Sequence, residues 1–113
     1  MTDVTEKQID PEDAKIITLA RSARARSGSG QGAAVRDETG RTYVATDVGL
    51  PSLTLSALQV AVAMAVSSGA RGLEAAAVVT DGAGPSEREA AAVHDLTPNA
   101  PILVADPDGT LRD

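Results

Sequence analysis

The sequence predicts one α/β domain, a three-layer α/β/α sandwich in which helices cover both faces of a mixed sheet. Two runs, residues 73–80 and 100–105, are almost entirely apolar and are separated by a helical segment, a pattern typical of parallel strands buried on both faces. Residues 33–45 have the pattern of an antiparallel hairpin. Apolar residues at helical spacing in residues 10–26 and 53–68 predict two longer helices.

The first predicted helix opens with a strong start signal at Asp10. This residue can cap the helix, Pro11 suits the first helical position, and the acidic residues that follow favour the positive end of the helix dipole. Arginines near the other end match the negative end of the dipole, so we interpret them as a solvated helix terminus rather than an anion site. Residues 1–9 are predicted to be a flexible N-terminus and residues 10–113 the single domain. One helical face carries Ile16, Leu19, Ala20 and Ala23.

Residues 27–32, Ser-Gly-Ser-Gly-Gln-Gly, end this helix and lead into the hairpin. A phosphate-binding loop is a poor interpretation, because the Lys-Ser/Thr pair of a P-loop is missing and a strand follows instead of a helix. Residues 33–35 and 42–45 predict two short strands. The polar turn between them contains Gly40, where a positive φ is useful.

Residues 53–68 predict the most apolar helix of the chain, which Gly69 ends. They belong to a stretch without charge, residues 48–70, whose length is close to that of a membrane span. The stretch contains a proline and several hydroxyl side chains and has no flanking aromatic anchors, so a buried core helix is the better interpretation. We expect no membrane contact and a cytoplasmic protein.

The last third of the chain completes the order α-β-β-α-β-α-β. Residues 81–85 predict a turn, followed by a short helix through His94 and the strand at residues 100–105. Asp106 and Asp108 fit a turn rather than a catalytic carboxylate pair, because Asp-Pro-Asp-Gly is ordinary turn chemistry. We interpret His94 as a partly exposed helix-end residue rather than a catalytic base.

Composition excludes several classes of function. The chain has no cysteine, which removes disulfide scaffolds, zinc ribbons, iron–sulfur sites and thiol nucleophiles. A net charge of −6 and a single aromatic residue argue against nucleic-acid binding, which needs basic clusters or stacking rings. With 21 alanines among 113 residues, the core consists of small side chains, and we expect association between copies to bury further surface.

Four segments of the chain follow a known arrangement: residues 27–34, with Ser-Gly and Gly-Ala-Ala; residues 54–62, Thr-Leu-Ser-Ala-Leu-Gln-Val-Ala-Val; residues 85–89, Pro-Ser-Glu-Arg-Glu; and residues 101–109, Pro-Ile-Leu-Val-Ala-Asp-Pro-Asp-Gly. In these segments the chain resembles the small homotetrameric cytidine deaminases, over about residues 14–109. The resemblance implies the same three-layer fold and an assembly of several copies.

The resemblance also implies where a zinc site would lie. The family binds zinc through one Cys or His and two Cys and uses a glutamate to transfer protons. Position by position, Ser56 takes the first ligand position, Leu58 the glutamate position, and Ser86 and Glu89 the other two ligand positions. A serine hydroxyl is a weak zinc ligand and leucine cannot transfer a proton. We therefore expect no metal, no cofactor, no catalytic residue and no deamination of cytidine.

The substrate pocket that the resemblance implies is also altered. Ser29 stands where the family has an aromatic ring. Asp47 and Gly49 align with the Asn-x-Glu pair that contacts the ribose hydroxyls, so at most one hydrogen-bonding group is kept. We expect the family's mode of nucleoside binding to be lost.

Without a metal, the backbone N–H groups at the two helix starts need other partners. Ser86 and Glu89 fit a capping box, although Pro85 at the first helical position would instead make Gly84 the cap.

The other helix start offers a similar choice. Ser56 can cap it, with Ser52 and Thr54 as competitors. We expect Ser56, Ser86 and Glu89 to lie close together as a polar cluster without metal, since one carboxylate makes a poor cage for Mg²⁺ or Ca²⁺.

The functional hypothesis is a non-catalytic member of this family that acts as an oligomeric scaffold or as an accessory or regulatory protein, a dimer or tetramer assembled through the uncharged helix at residues 53–68. One alternative is a module that binds a nucleoside, nucleotide or other small ligand in a rebuilt pocket. Others are an enzyme of different chemistry at the same site, an accessory subunit in mixed assembly with an active deaminase, and a residual activity related to nucleoside deamination.

Overall fold

The computed structural model describes residues 9–112. The predicted flexible N-terminus, residues 1–9, lies outside the described residues except for Ile9. The elements follow in this order: α1 (Pro11–Ser27), β1 (Gln31–Asp37), β2 (Thr42–Thr46), β3 (Val48–Leu50), β4 (Leu53–Leu55), α2 (Ala57–Ser67), β5 (Leu73–Thr80), α3 (Glu87–Leu96) and β6 (Ile102–Ala105).

The central sheet has the strand order β2-β1-β5-β6. β1 pairs antiparallel with both β2 and β5, and β5 pairs parallel with β6, so the sheet is mixed. The buried residues form two clusters, one between the sheet and α1 and the other between the sheet and the layer of α2 and α3. The predicted three-layer α/β/α architecture, the hairpin and the parallel pair are therefore confirmed.

Helix α1 begins as predicted and packs very closely on the sheet. The Asp10 carboxylate accepts a hydrogen bond from the Glu12 backbone N–H at 2.8 Å, and proline follows at the first helical position. A Cβ atom added to Gly32 in β1 would lie 2.0 Å from the Ala20 carbonyl oxygen, so only glycine fits at this crossing. Ile17 is buried, whereas the sequence pattern placed Leu19 on the buried face. The buried face of α1 is therefore rotated slightly from the predicted one.

The predicted helix at residues 53–68 is wrong at its start. Leu53–Leu55 is strand β4, which pairs antiparallel with β3, Val48–Leu50, as a separate two-stranded ribbon. The backbone of Ser56 is extended, with φ −71° and ψ 162°, so the helix begins only at the next residue. This ribbon adds two strands to the predicted order.

The last strand is shorter than predicted, starting at Ile102 instead of residue 100. The backbone N–H of Ala100 donates to the Thr97 carbonyl in a turn at 3.1 Å, and Pro101 has no N–H to give to the sheet. Within the described part of the chain, no helix is long and apolar enough to cross a membrane.

A buried carboxylate holds the β1–β2 turn. Asp37, only 2% exposed, accepts hydrogen bonds from the backbone N–H and hydroxyl of Thr39, the backbone N–H of Arg41 and the hydroxyl of Tyr43. These bonds, the one from the Thr39 hydroxyl first, lower the pKa of Asp37 to about 2, against the opposite effect of desolvation.

A buried guanidinium joins the sheet to α1. Arg36 in β1 donates to the Glu74 carboxylate at 2.7 Å and to the Asp13 carboxylate at 3.0 Å. Burial alone would lower the pKa of Arg36, but the hydrogen bonds and charges of these two carboxylates raise it. Arg36 is therefore fixed as a cation between the N-terminal turn of α1 and the start of β5.

Arg112 ties the loop before α3 to the last strand. Its guanidinium donates to the carbonyl oxygens of Gly82 and Thr80, both at 2.8 Å, and to the Asp106 carboxylate at 2.6 Å. The end of β5 and the first part of the loop that leads to α3 are thus anchored to the segment after β6.

Candidate functional site

The N-terminus of α2 is closed by a capping box. The Ser56 hydroxyl accepts a hydrogen bond from the Gln59 backbone N–H at 3.1 Å, and the Gln59 side-chain oxygen accepts one from the Ser56 backbone N–H at 3.0 Å. Of the three hydroxyls considered from sequence, Ser56 is therefore the cap. Gln59 as its partner was not anticipated, although serine followed three residues later by glutamine is a recognised helix-start signal.

The N-terminus of α3 has the same arrangement. The Ser86 hydroxyl accepts from the Glu89 backbone N–H at 3.2 Å, and the Glu89 carboxylate accepts from the Ser86 backbone N–H at 3.3 Å. Ser86 is thus the cap and Gly84 is not. Pro85 lies just before the cap instead of at the first helical position, so its missing N–H costs the helix nothing.

A long-range contact completes the start of α2. The side-chain oxygen of Gln31, the first residue of β1, accepts a hydrogen bond from the Ala57 backbone N–H at 3.1 Å. Ala57 is the first residue of α2, whose N–H has no partner within the helix. Sequence analysis missed this role, because a glutamine at the start of a strand gives no signal of which distant backbone group it meets.

These helix starts border an open cavity of about 510 Å³. Ser56 and Glu89 both line the cavity, whereas Ser86 does not line it and is joined to it only through its hydrogen bonds with Glu89. Glu89 is half-buried. Leu58, at the expected glutamate position, is 1% exposed and belongs to the core between α2 and the sheet. The polar lining is completed by Gln31, Asp47, Thr54 and Gln59.

Two of the three altered substrate-pocket positions lie on the same cavity, and the third contacts one of them. Asp47 and Gly49 line it, and the Ser29 hydroxyl donates a hydrogen bond to the Asp47 carboxylate. Two carboxylates, those of Asp47 and Glu89, face the cavity, and among the described residues no lysine or arginine lines it. The electrostatic character of the cavity is therefore acidic.

The donor atoms here are poorly matched to a zinc ion. Zinc sites in proteins take thiolates, imidazoles or carboxylates, usually four in tetrahedral geometry. The hydroxyls of Ser56 and Ser86 are neutral and already accept hydrogen bonds, and the Glu89 carboxylate accepts one from Ser86. Within residues 9–112 no group of three His, Asp or Glu side chains could hold a metal ion.

His94 serves another part of the fold. It lies near the C-terminal end of α3, with Ser86 capping the opposite end, about 12 Å away at the rise of a helix. Its Nε2 is 3.1 Å from the Ala100 carbonyl oxygen, a hydrogen bond to the turn before β6. His94 therefore contacts the chain around residue 100 and does not line the cavity.

The model of the family described as cytidine deaminase-like matches residues 9–109. No curated protein matches the chain. The chain belongs to the cytidine deaminase-like family, as the four sequence segments indicated.

Solved structures of cytidine deaminases share this fold. The enzyme from Burkholderia pseudomallei superposes with a TM-score of 0.76 at 23% identity, covering 87% of each chain. The Mycobacterium tuberculosis enzyme gives a TM-score of 0.69 at 24% identity, covering 91% of this chain and 90% of that one. The Mycobacterium leprae enzyme gives 0.66 at 20% identity, with 87% and 89% covered. At these identities the likeness establishes the fold alone.

Proposed function

We propose that this protein is a non-catalytic member of the cytidine deaminase-like family, which neither binds catalytic zinc nor deaminates cytidine. One observation carries the proposal: the backbone N–H groups at the start of α2 donate to side chains of the protein itself. Ala57 donates to Gln31, Gln59 donates to Ser56, and Ser56 donates to Gln59. The backbone groups beside the expected metal position therefore have partners without a metal.

The proton-transfer function is lost as well. The position that the family resemblance assigns to the glutamate is Leu58, whose side chain is buried in the core and cannot carry a proton. Glu89 is a carboxylate that lines the cavity, but one of its oxygens already accepts a hydrogen bond from the Ser86 backbone N–H. A zinc-bound hydroxide and a proton shuttle are both required for the reaction, so the loss of either is sufficient to abolish it.

What such a protein keeps is the fold, and we propose that it works as a cytoplasmic, oligomeric scaffold or accessory protein. The uncharged α2 and the small core side chains support association between copies. Mixed assembly with an active deaminase belongs to the same class of role.

The experiment measures bound zinc by elemental analysis and turnover of cytidine and deoxycytidine on the same purified sample. We expect no stoichiometric zinc in the purified protein and no turnover of cytidine or deoxycytidine. The positive control is the Burkholderia pseudomallei cytidine deaminase, carried through the same zinc and turnover measurements. Stoichiometric zinc together with turnover in the unaltered protein contradicts the proposal.

A second candidate function is a binding module for a small polar ligand, which the cavity favours. Its volume of about 510 Å³ lies within the roughly 300–1,000 Å³ of small-molecule sites, and it has several polar groups. The carboxylates of Asp47 and Glu89 favour an uncharged or cationic ligand over a phosphate-bearing one.

Thermal unfolding with cytidine, uridine, their monophosphates and a set of amines tests this function, because a ligand that binds only the folded state raises Tm. A rise in Tm that is lost in the Asp47→Asn variant supports binding in the cavity. No change in Tm with any of these compounds at millimolar concentration contradicts it for these ligand classes.

A further inference from the structure

The two edges of the four-stranded sheet differ in how they are covered. At the β6 edge the chain covers its own strand, because Ala105 pairs with Leu111 and the Arg112 backbone N–H donates to the Val104 carbonyl at 2.7 Å. At the other edge, β2 pairs with β1 and with no further strand among residues 9–112. The sheet therefore ends on this side in backbone groups that have no strand beside them.

The backbone groups that face this open edge belong to every second residue of β2. The Asp37 backbone N–H donates to the Arg41 carbonyl at 2.8 Å, which makes these two residues a hydrogen-bonded pair at the start of the β1–β2 ladder. In the register that follows, Tyr43 and Ala45 turn their backbone groups toward β1. Val44 lies between them, so its N–H and C=O face the open edge, where an added strand would bond.

Strand β2 lacks the features that usually protect an edge. Natural sheets place lysine, proline, a bulge or a very short strand at an exposed edge. The five residues of β2, Thr-Tyr-Val-Ala-Thr, include no charge and no proline, and they pair with β1 without a shift of register. Four of the five are partly exposed. This edge is therefore able to accept a further strand.

A cavity lies on each side of the open edge. On the side of α1, a cavity of about 320 Å³ is lined by Val44, Thr46 and Arg26 among others. On the side of α2, a cavity of about 370 Å³ lies beside Tyr43 and Ser68. Successive side chains of an added strand alternate between its two faces, so they would enter the two cavities in turn. Backbone pairing combined with pockets for alternate side chains is the arrangement by which sheet edges bind extended peptides.

The charges beside β2 indicate which side chains such a strand carries. Among the described residues that line the cavity on the α1 side, Arg26 alone is charged, and it forms no ion pair within residues 9–112. A carboxylate is the natural partner for this exposed guanidinium. The cavity on the α2 side contains Arg41 and the carboxylates of Asp37 and Glu38, which already accept hydrogen bonds from the chain, so it suits a neutral side chain.

A second copy of this chain fits the edge less well. Antiparallel pairing of β2 with itself would place the Arg26 side chains of the two copies on the same face of the joined sheet, where like charges repel. An acidic strand from another protein brings the opposite charge to the same place. Charge complementarity therefore favours the acidic strand.

We infer that the open edge of β2 binds an extended segment of another protein, antiparallel to β2, with acidic side chains toward α1 and neutral side chains toward α2. This inference extends the proposed accessory role by naming a class of partner. It is separate from the proposed lack of catalysis, because no residue of β2 lines the cavity at the helix starts.

The test uses a fluorescein-labelled peptide, Thr-Glu-Val-Glu-Val-Glu-Thr, whose glutamates lie on one face of a strand and whose valines lie on the other. Fluorescence anisotropy measures its binding to the whole protein. Two matched peptides carry glutamine or lysine in place of glutamate. We expect saturable binding of the glutamate peptide, binding at least about threefold weaker for the glutamine peptide, and no saturation with the lysine peptide.

Variants of the protein locate the contact. Val44→Pro removes an N–H that faces the open edge and none that bonds to β1, and Val44→Thr is the matched control that keeps this N–H. We expect Val44→Pro to weaken binding of the glutamate peptide at least about tenfold. Arg26→Gln should weaken it at least about threefold, whereas Arg88→Gln, the same change of charge on α3, should leave it unaltered.

Circular dichroism shows whether each variant is folded. N-methylation of the central glutamate of the peptide tests the strand pairing on the unaltered protein, because that N–H faces β2 in an antiparallel pairing, and N-methylation of a neighbouring valine is its control. We expect only the first modification to weaken binding.

Three results overturn the inference. The first is no saturable binding of the glutamate peptide at millimolar concentration, and the second is equal binding of the lysine peptide. The third is equal binding by Val44→Pro and Val44→Thr. A mass by light scattering that falls by half in Val44→Pro, with no peptide binding, also contradicts it and assigns the edge to a second copy. None of these results changes the zinc and turnover measurements, so the two proposals fail separately.

Discussion

The side-chain oxygen of Gln31 lies 3.1 Å from the backbone nitrogen of Ala57, joining the first residue of β1 to the first residue of α2. The two residues are 26 positions apart in the chain. The contact gives a partner to a backbone N–H that the helix cannot satisfy by itself, at the place where the family resemblance puts a metal.

Replacing Gln31 by leucine is expected to destabilise the protein by about 1–3 kcal/mol, because the Ala57 N–H is left without an acceptor in a partly buried position. Urea unfolding monitored by circular dichroism measures the change in stability. Circular dichroism is the suitable signal because the chain has one tyrosine and no tryptophan. Gln31→Glu keeps an acceptor oxygen and is the matched control, expected to be the milder of the two. Equal stability of Gln31→Leu and the unaltered protein argues against a structural role for this bond.

Gly32→Ala is expected to cost about 3 kcal/mol or more, or to prevent folding, because the new Cβ lies 2.0 Å from the Ala20 carbonyl oxygen. Backbone atoms of α1 and β1 meet here, so a side-chain movement cannot relieve the clash. Gly30→Ala is the control, since nothing lies within 4 Å of a Cβ at that position. The thermal midpoints of the two variants should differ clearly; similar values contradict the close packing of α1 on β1.

Acidification is expected to weaken the fold through Asp37. Its pKa is about 2 in the folded protein and 3.8 ordinarily, so its contribution to stability is complete above about pH 5 and is lost progressively as the pH falls from about 5 to about 1. Asp37→Asn should be less stable than the unaltered protein at pH 6, and the difference should shrink toward pH 2. The free energies of unfolding of both proteins, measured from pH 6 to pH 2, test the direction of this change. A difference between Asp37→Asn and the unaltered protein that stays constant from pH 6 to pH 2 is the result that contradicts this prediction.

Arg36→Met is expected to destabilise the protein by about 2–4 kcal/mol, because it leaves the carboxylates of Asp13 and Glu74 without their shared cation. The Asp13 and Glu74 side chains are 22% and 47% exposed, so water solvates part of the two carboxylates and the loss stays below that of a fully buried ion pair. Arg88→Met, at an exposed position of α3, should change stability by less than about 0.5 kcal/mol. Chemical denaturation of both variants measures the contrast; a neutral Arg36→Met is the contrary result.

Local signals in the sequence were sufficient for much of the fold. The cap at Asp10 and the strand Leu73–Thr80 are where the sequence places them, because helix caps and uninterrupted apolar runs are read from neighbouring residues. The capping box at Ser86 and Glu89 is another feature of this kind, visible three residues apart.

The β3–β4 ribbon was missed for a physical reason. Leu53 and Leu55 fit the apolar pattern of the helix that follows, and only the extended conformation of Ser56 separates strand from helix. Short apolar segments are compatible with either structure, and the pairing of β4 with β3 decides between them.

The contacts of the candidate site are likewise of two kinds, those between neighbouring residues and those between distant segments of the chain. The caps at Ser56 and Ser86 depend on residues three positions away and could be anticipated as candidates. The contact of Gln31 with Ala57 and the shared cavity of Asp47 and Glu89 depend on how distant segments pack. Chain folding creates these juxtapositions, and a single sequence has no local pattern for them.

The two capping boxes have a consequence for how the protein is produced in a cell. Each joins residues only three positions apart, so closing each helix start by its capping box requires no distant segment of the chain. A structural metal site makes folding depend on the supply of the ion and on correct loading. Helix starts that are closed by serine, glutamine and glutamate side chains have partners from the chain itself, so a protein with the proposed role would fold without a supply of zinc.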